Sequence, residues 1–109
     1  FNSSSDMDSV ASDNVTLSGG EIYPTSGTSA TYIRPTKTAA DEVTTVYLLV
    51  VGEALPNATF SVSSDNGNTW ETVVRSTKTS LTVNGKLLRI KILMSSANVR
   101  IKSVALLYS

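Results

Sequence analysis

The sequence of 109 residues contains no cysteine and no histidine. Without cysteine, the chain cannot form disulfides, thiolate metal sites or a cysteine nucleophile. Without histidine, it lacks the side chain that most often serves as general base, proton shuttle or zinc ligand. These absences weigh against an enzyme. We therefore predict a non-enzymatic protein with no catalytic residues, no cofactor and no bound metal.

A net charge and a long apolar run are also missing. Nine basic residues balance nine acidic ones, so the net charge does not indicate any class of partner. No apolar segment approaches the roughly 20 residues of a membrane-spanning helix, and no signal-peptide pattern opens the chain. We expect neither nucleic acid nor membrane as a partner. Because the sequence begins with Phe1, we expect a processed chain or an excised segment.

Serine, threonine and valine are abundant, with 17, 14 and 12 residues respectively. These side chains suit strands better than helices. Short apolar runs recur about every ten residues, a spacing typical of a sandwich or barrel. We predict an all-β fold of eight or nine strands, a two-sheet antiparallel sandwich that is jelly-roll-like. Residues 1–13 are expected to be a polar arm or linker, and residues 14–109 a single domain.

Turn residues predict three hairpins. Gly19-Gly20 joins the first pair of strands, and residues 58–63 pair with residues 69–74. Asn84-Gly85, which suits a type I′ turn, joins Leu81–Val83 to Lys86–Met94.

Two further segments are assigned from their apolar pattern. Residues 36–42 are expected to be a connection with at most one helical turn. Residues 43–51 are expected to be a central strand covered on both faces. A shift in apolar parity predicts a bulge near Lys102-Ser103.

Alternation along residues 81–94 separates two faces of a strand. Leu88, Ile90 and Ile92 fall on one face, with Leu81 and Val83 in the same register. The opposite face is a candidate contact surface for a partner, formed by Leu87, Arg89, Lys91 and Leu93.

One motif fits the pattern S-x-D-x-G-x-T-W, with Ser63, Asp65, Gly67, Thr69 and Trp70. It resembles the Asp-box of sialidases and several unrelated β folds, where the box is structural. Asp65 can accept hydrogen bonds from turn amides, Gly67 can supply a positive φ, and Trp70 can fold under the turn as an apolar plug. We predict a structural turn. A sugar-stacking Trp70 or a cation held by Asp65 is the alternative.

The charges are sorted along the chain. All nine acidic residues lie at or before Glu71, and seven of the nine basic residues lie after it. Either the strand order interleaves the two halves so that they neutralise each other, or a basic face meets an acidic partner. A hairpin through Ser95–Asn98 would also place Lys91 opposite Lys102, which is unfavourable. Either those strands are not neighbours, or an anion lies between them.

Three segments carry a wider resemblance: VTLSGGEIYPTSGT, ATFSVSSDNGNTWETV and LLRIKILMSSANVRIKSVALLYS. In this order they resemble β-sandwich modules of bacteriophage virions, such as tail fibres, adhesins and capsid decoration proteins. The resemblance implies a non-enzymatic, homo-oligomeric structural protein on a virion surface that contacts other virion proteins. If the chain is not viral, we expect it to be secreted or on a cell surface.

Carbohydrate-binding modules of secreted hydrolases resemble the chain equally well in the order of these sequence segments. The alternative function is therefore recognition of a glycan, with Tyr23, Tyr32 or Tyr47 as stacking platforms. Only seven residues are aromatic, and most lie on core-like strands, which favours the structural module.

Overall fold

The computed structural model describes residues 12–109. Within this range, the chain forms eight strands and a 3-10 turn at Leu55–Asn57, and none of its helices is long and apolar enough to cross a membrane. The strands are β1 (Val15–Ser18), β2 (Glu21–Pro24), β3 (Ala30–Ile33), β4 (Lys37–Glu53), β5 (Ala58–Ser63), β6 (Glu71–Val73), β7 (Lys78–Met94) and β8 (Arg100–Tyr108).

The all-β antiparallel class is confirmed. The strands follow the order β1-β2-β8-β4-β7-β5-β6, and β3 also pairs with β7. The two sheets of the expected sandwich are joined, because the first part of β7 pairs with β4 and its last part lies between β3 and β5. The set β2-β8-β4-β7 alternates early and late strands, whereas the set β3-β7-β5-β6 ends in the β5–β6 hairpin.

One hydrophobic core is shared by both sets of strands. Ile22, Leu48 and Ile101 come from the first set, and Tyr32 and Ile92 come from the second; all are at most 1 % exposed. Because a single cluster holds residues of both sets, the two sets pack face to face.

The third predicted hairpin is wrong. Strand β7 runs without a turn from Lys78 to Met94, and neither Asn84 nor Gly85 has a positive φ. A Cβ atom at Gly85 would lie only 2.2 Å from the backbone oxygen of Ser64. The glycine is needed here for a close approach between strands and not for a turn.

Two expectations for β4 are also wrong. Residues 37–42 belong to this strand rather than to a connection with a helical turn. The strand is central, between β8 and β7, but it is covered on one face only. Val43, Val46 and Leu48 are buried, whereas Leu49 and Val51 are 40 % and 59 % exposed.

The other local predictions are confirmed. Strands β1 and β2 form a hairpin through Gly19-Gly20, whose φ angles are 63° and 78°. Strands β5 and β6 are paired. The bulge in β8 is present, because Val51 pairs with Ser103 while Gly52 pairs with Ile101, which leaves Lys102 as the extra residue.

The strand order bears on both expectations about charge. Basic β8 lies between β2 and β4, and basic β7 lies between β4 and β5, so early and late strands are interleaved. Strands β7 and β8 are not paired with each other, so Lys91 and Lys102 are not opposed. Lys102 instead lies 3.7 Å from the Glu53 carboxylate.

Most of the predicted arm, residues 1–11, lies outside the described residues. Its last two residues are bonded to β3. Asp13 exchanges two backbone hydrogen bonds with Thr31, at 2.8 and 2.9 Å. The hydroxyl of Ser12 accepts the Ile33 amide N–H at 2.9 Å.

Candidate functional site

The turn between β5 and β6 is built on one hydroxyl and one carboxylate. The Ser63 hydroxyl donates to Oδ1 of Asp65 at 2.7 Å and accepts the Gly67 amide N–H at 2.8 Å. The same Asp65 oxygen accepts the Thr69 amide N–H at 2.7 Å. Gly67 has a φ of 90°, in the region that favours glycine. The motif therefore closes a local network that holds the turn.

The same hydrogen bonds favour the ionised form of the Asp65 carboxyl. The Ser63 hydroxyl, and after it the Thr69 amide, lower the pKa of the Asp65 carboxyl below its ordinary value, because each stabilises the carboxylate. Across residues 12–109, no group of three or more Asp or Glu side chains is placed to hold a metal ion. The geometry thus gives Asp65 a structural role in the turn.

Trp70 lies against this turn but outside the core. A Cβ atom at Gly67 would be 3.4 Å from the indole Cζ2 atom, and the indole is only half-buried. Trp70 therefore lies against the turn as expected, and a reason of register keeps it out of the core. Glu71 pairs with Val62, which faces the core, so the preceding residue faces outward. The Lys91 ammonium lies 4.6 Å from the centroid of the Trp70 ring.

A second set of bonds joins the β5–β6 hairpin to β7. The carboxylate of Glu71 accepts the amide N–H groups of Thr82 and Val83 at 2.7 and 3.1 Å. The Ser64 hydroxyl donates to the Val83 carbonyl at 2.6 Å. This part of β7 lies where its register with β4 is interrupted. The Glu71 carboxylate and the Ser64 hydroxyl therefore form hydrogen bonds with backbone groups of β7 at the point where its pairing with β4 is interrupted.

Sequence reasoning missed this connection, because Glu71 and Thr82 are eleven residues apart and share no local motif. Slight burial of Glu71 opposes ionisation, but the two backbone donors outweigh it and lower the pKa of the Glu71 carboxyl.

The contact surface predicted on β7 does lie on one face of the strand. Leu87 and Leu93 are 39 % and 42 % exposed, while Arg89 and Lys91 are half-buried. The Arg89 Nε–H donates to the Arg34 carbonyl at 3.1 Å, and Lys91 lies over the Trp70 ring. Arg89 and Lys91 already have contacts within the chain. The exposed side chains of Leu87 and Leu93 are therefore the part of this face that a partner could contact.

A larger apolar surface lies on the outer face of β4 and β8. Leu49, Val51 and Leu107 are 40 %, 59 % and 56 % exposed. Cross-strand pairing places Tyr47 beside Leu107 and Leu49 beside Ala105, so the exposed side chains are contiguous. We call these five residues the β4–β8 face. Sequence reasoning could not identify this face, because an apolar run does not reveal which of its two faces is covered.

The tyrosines proposed as sugar platforms differ in access. Tyr32 is fully buried and cannot present its ring, so that expectation is wrong. The Arg100 guanidinium lies 4.0 Å from the centroid of the Tyr23 ring. Tyr47 is half-buried and lines a shallow depression with Lys78 and Leu107.

Comparison with known proteins yields no relative. No protein-family model, no curated protein and no solved structure matches the chain. The functional argument therefore rests on the geometry and chemistry of the chain.

Proposed function

We propose that the chain is a non-enzymatic structural module that acts by protein–protein contact and assembles with further copies of itself on a virion surface. The observation that supports this contact is the exposure of apolar side chains on the β4–β8 face. Large contiguous apolar patches on the surface of a soluble protein often mark sites of protein–protein contact. A sheet face that carries aliphatic side chains is suited to packing against another sheet about 10 Å away.

A second copy of the chain is the occupant that the charges favour. Lys78 pairs with Tyr47 at one end of the face, and Glu53 follows Val51 at the other end. A twofold axis across the strands would place the Lys78 end of one copy against the Glu53 end of the other. Such a contact is self-complementary, as twofold interfaces must be, and buries apolar side chains at its centre.

Measurement of molar mass in solution tests this contact. We expect dimers or higher symmetric oligomers by sedimentation velocity, with dissociation on dilution. Val51→Lys and Leu107→Lys each add a charge to the centre of the face and should give monomers. The matched control is Val74→Lys, since Val74 is 65 % exposed and lies outside the face. It should leave the oligomer intact.

A charge reversal tests the twofold arrangement. Lys78→Glu should weaken association by like-charge repulsion with Glu53 of the second copy. The added changes Glu53→Lys and Lys102→Glu, which keep the ion pair between residues 53 and 102, should restore it. A chain that stays monomeric at high concentration, or a Val74→Lys variant that dissociates as fully as Val51→Lys, would contradict the proposed contact.

The virion location is supported by the three sequence segments that resemble phage modules. The glycan-binding alternative loses Tyr32 as a platform, and Tyr23 has a guanidinium over its ring. These facts favour the structural module over recognition by aromatic stacking.

A further inference from the structure

The sequence contains two asparagine–glycine pairs, Asn66-Gly67 and Asn84-Gly85. In such a pair the glycine nitrogen can attack the side-chain amide carbon of the asparagine, because glycine has no Cβ atom to shield its nitrogen. The product is a cyclic succinimide, which water opens to aspartate or isoaspartate. Both asparagine side chains are exposed to water. The two pairs differ in how the surrounding backbone is held.

The Asn84-Gly85 pair is held within a paired strand. Both residues belong to β7, and Gly85 pairs with Val43 of β4. On the other side, a Cβ atom at Gly85 would lie 2.2 Å from the Ser64 backbone oxygen. Ring closure must turn the Gly85 nitrogen toward the Asn84 side chain, and this rotation would separate Gly85 from β4. The fold therefore protects Asn84, whose reaction needs local unfolding of β7.

The Asn66-Gly67 pair lies in the turn between β5 and β6, outside both strands. Its two residues have positive φ angles of 63° and 90°, a conformation that asparagine and glycine adopt more readily than other residues. The Gly67 amide N–H donates to the Ser63 hydroxyl at 2.8 Å, which is a side-chain acceptor. Because this bond is not part of a strand ladder, the Gly67 nitrogen can turn toward the Asn66 side chain while β5 and β6 stay paired.

Two hydroxyl groups contact the atoms that would react. The Thr36 hydroxyl donates to Oδ1 of Asn66. This bond polarises the side-chain carbonyl and stabilises the oxyanion that forms when the carbonyl carbon is attacked. The Ser63 hydroxyl accepts the Gly67 N–H and donates to Oδ1 of Asp65 at 2.7 Å, and the carboxylate strengthens Ser63 as an acceptor for that proton.

The hydrogen bond to Ser63 leaves the Gly67 nitrogen able to attack. An amide N–H bond lies in the plane of the peptide group, whereas the orbital that attacks a carbonyl carbon is perpendicular to this plane. Ser63 can therefore hold the Gly67 proton while the nitrogen approaches the Asn66 side chain.

We propose that Asn66 is a site of spontaneous deamidation in the folded protein, with water as the co-reactant. The Gly67 nitrogen forms a bond with the Asn66 Cγ atom, and the bond between Cγ and Nδ2 breaks. The proton lost by the Gly67 nitrogen leaves with the amide group as ammonia. Water then adds across one of the two C–N bonds of the succinimide, which gives aspartate or isoaspartate at position 66. The modification adds one negative charge beside Asp65, and it does not depend on self-association of the β4–β8 face.

The test is incubation of the full chain in mildly alkaline buffer, followed by peptide mapping with mass spectrometry that separates aspartate from isoaspartate. In the folded chain we expect Asn66 to convert at least about tenfold faster than Asn84, because only Asn84 has to wait for a strand to open. In a chain unfolded by urea, the two rates should become similar, since both residues precede glycine.

A pair of threonine substitutions tests the activation of the amide. Thr36→Val removes the hydroxyl that contacts Asn66 and should slow conversion at Asn66 about tenfold, the effect expected for one hydrogen bond to a developing charge. Thr38→Val removes an exposed hydroxyl from the start of β4 and should leave the rate unchanged. Urea unfolding of both variants confirms that each is folded before the rates are compared.

Three results would overturn the proposal. Equal rates at Asn66 and Asn84 in the folded chain would show that the turn gives Asn66 no advantage over the strand. Conversion of Asn66 in urea but not in the folded chain would show that the turn protects it. An unchanged or faster rate in Thr36→Val would show that the Thr36 hydroxyl restrains the turn and does not activate the amide.

Discussion

Gly85 and Ser64 are so close that a Cβ atom on Gly85 would lie 2.2 Å from the Ser64 backbone oxygen. Real Cβ atoms do not approach an oxygen this closely, so Gly85→Ala must displace backbone. We expect Gly85→Ala to lower the free energy of unfolding by about 1–3 kcal/mol, the usual cost of overpacking. Urea unfolding measures the change.

The neighbouring Asn84 supplies the control for this prediction. Asn84 is exposed within a continuous strand, so Asn84→Ala should change the stability by no more than about 0.5 kcal/mol. If Asn84-Gly85 formed a type I′ turn, both substitutions would be costly, because each residue would need a positive φ. Comparable losses in the two variants would therefore contradict the continuous path of β7.

The Glu71 carboxylate makes stability depend on pH. Its pKa is lowered in the folded protein by the Thr82 and Val83 amides, so its contribution is present above the ordinary value of 4.5 and is lost as the pH falls through the folded pKa. We expect Glu71→Gln to cost about 1 kcal/mol at pH 7, since the contacts are partly exposed to solvent. It should also flatten the loss of stability below pH 4.5. Identical pH profiles for the two proteins, from urea unfolding between pH 7 and pH 3, would argue against this role.

Lys91 stabilises the protein through the Trp70 ring. The ammonium lies 4.6 Å from the ring centroid, within the range of a cation–π contact. A double-mutant cycle with Trp70→Leu and Lys91→Met should give a coupling of about 0.5–1 kcal/mol. In a parallel cycle, Trp70→Leu and Lys86→Met should be additive. A coupling of the same size in both cycles would mean that the contact contributes nothing specific.

Two adjacent leucines of β4 test its one-sided burial. Leu48 is 1 % exposed and Leu49 is 40 % exposed. Leu48→Ala should cost about 2–5 kcal/mol through loss of burial and a cavity, whereas Leu49→Ala should cost less than about 1 kcal/mol in the monomer. Thermal or urea unfolding at low protein concentration measures both. Similar losses would mean that both faces of β4 are covered.

Features that depend on nearby residues were predictable from the sequence. The Gly19-Gly20 turn, the pairing of β5 with β6 and the bulge at Lys102 each follow from local turn chemistry or local parity. The alternation of Leu88, Arg89 and Ile90 was also correct, because side chains on any strand alternate between its faces. This alternation holds whether the strand begins at residue 78 or at residue 86, so an error in the turn did not alter it.

Residues far apart in the sequence determined the remaining features. Asn-Gly favours a turn in isolation, but pairing of β7 with β4 and the approach of Ser64 keep the strand continuous at Gly85. A lone carboxylate gives no hint that Glu71 will bind the amides of Thr82 and Val83. The outer face of β4 could not be recognised as exposed, because exposure depends on which strand or partner packs against it.

The sequence by itself determined that this chain is antiparallel β structure whose side chains alternate between two faces, since alternation and turn residues act over a few positions. Only the tertiary structure decided that β7 joins both sets of strands, that the β4–β8 face is left open, and that Glu71 accepts the amides of Thr82 and Val83. The physical reason is that pairing energy and burial arise between segments tens of residues apart, and local propensity is weaker than the sum of those contacts.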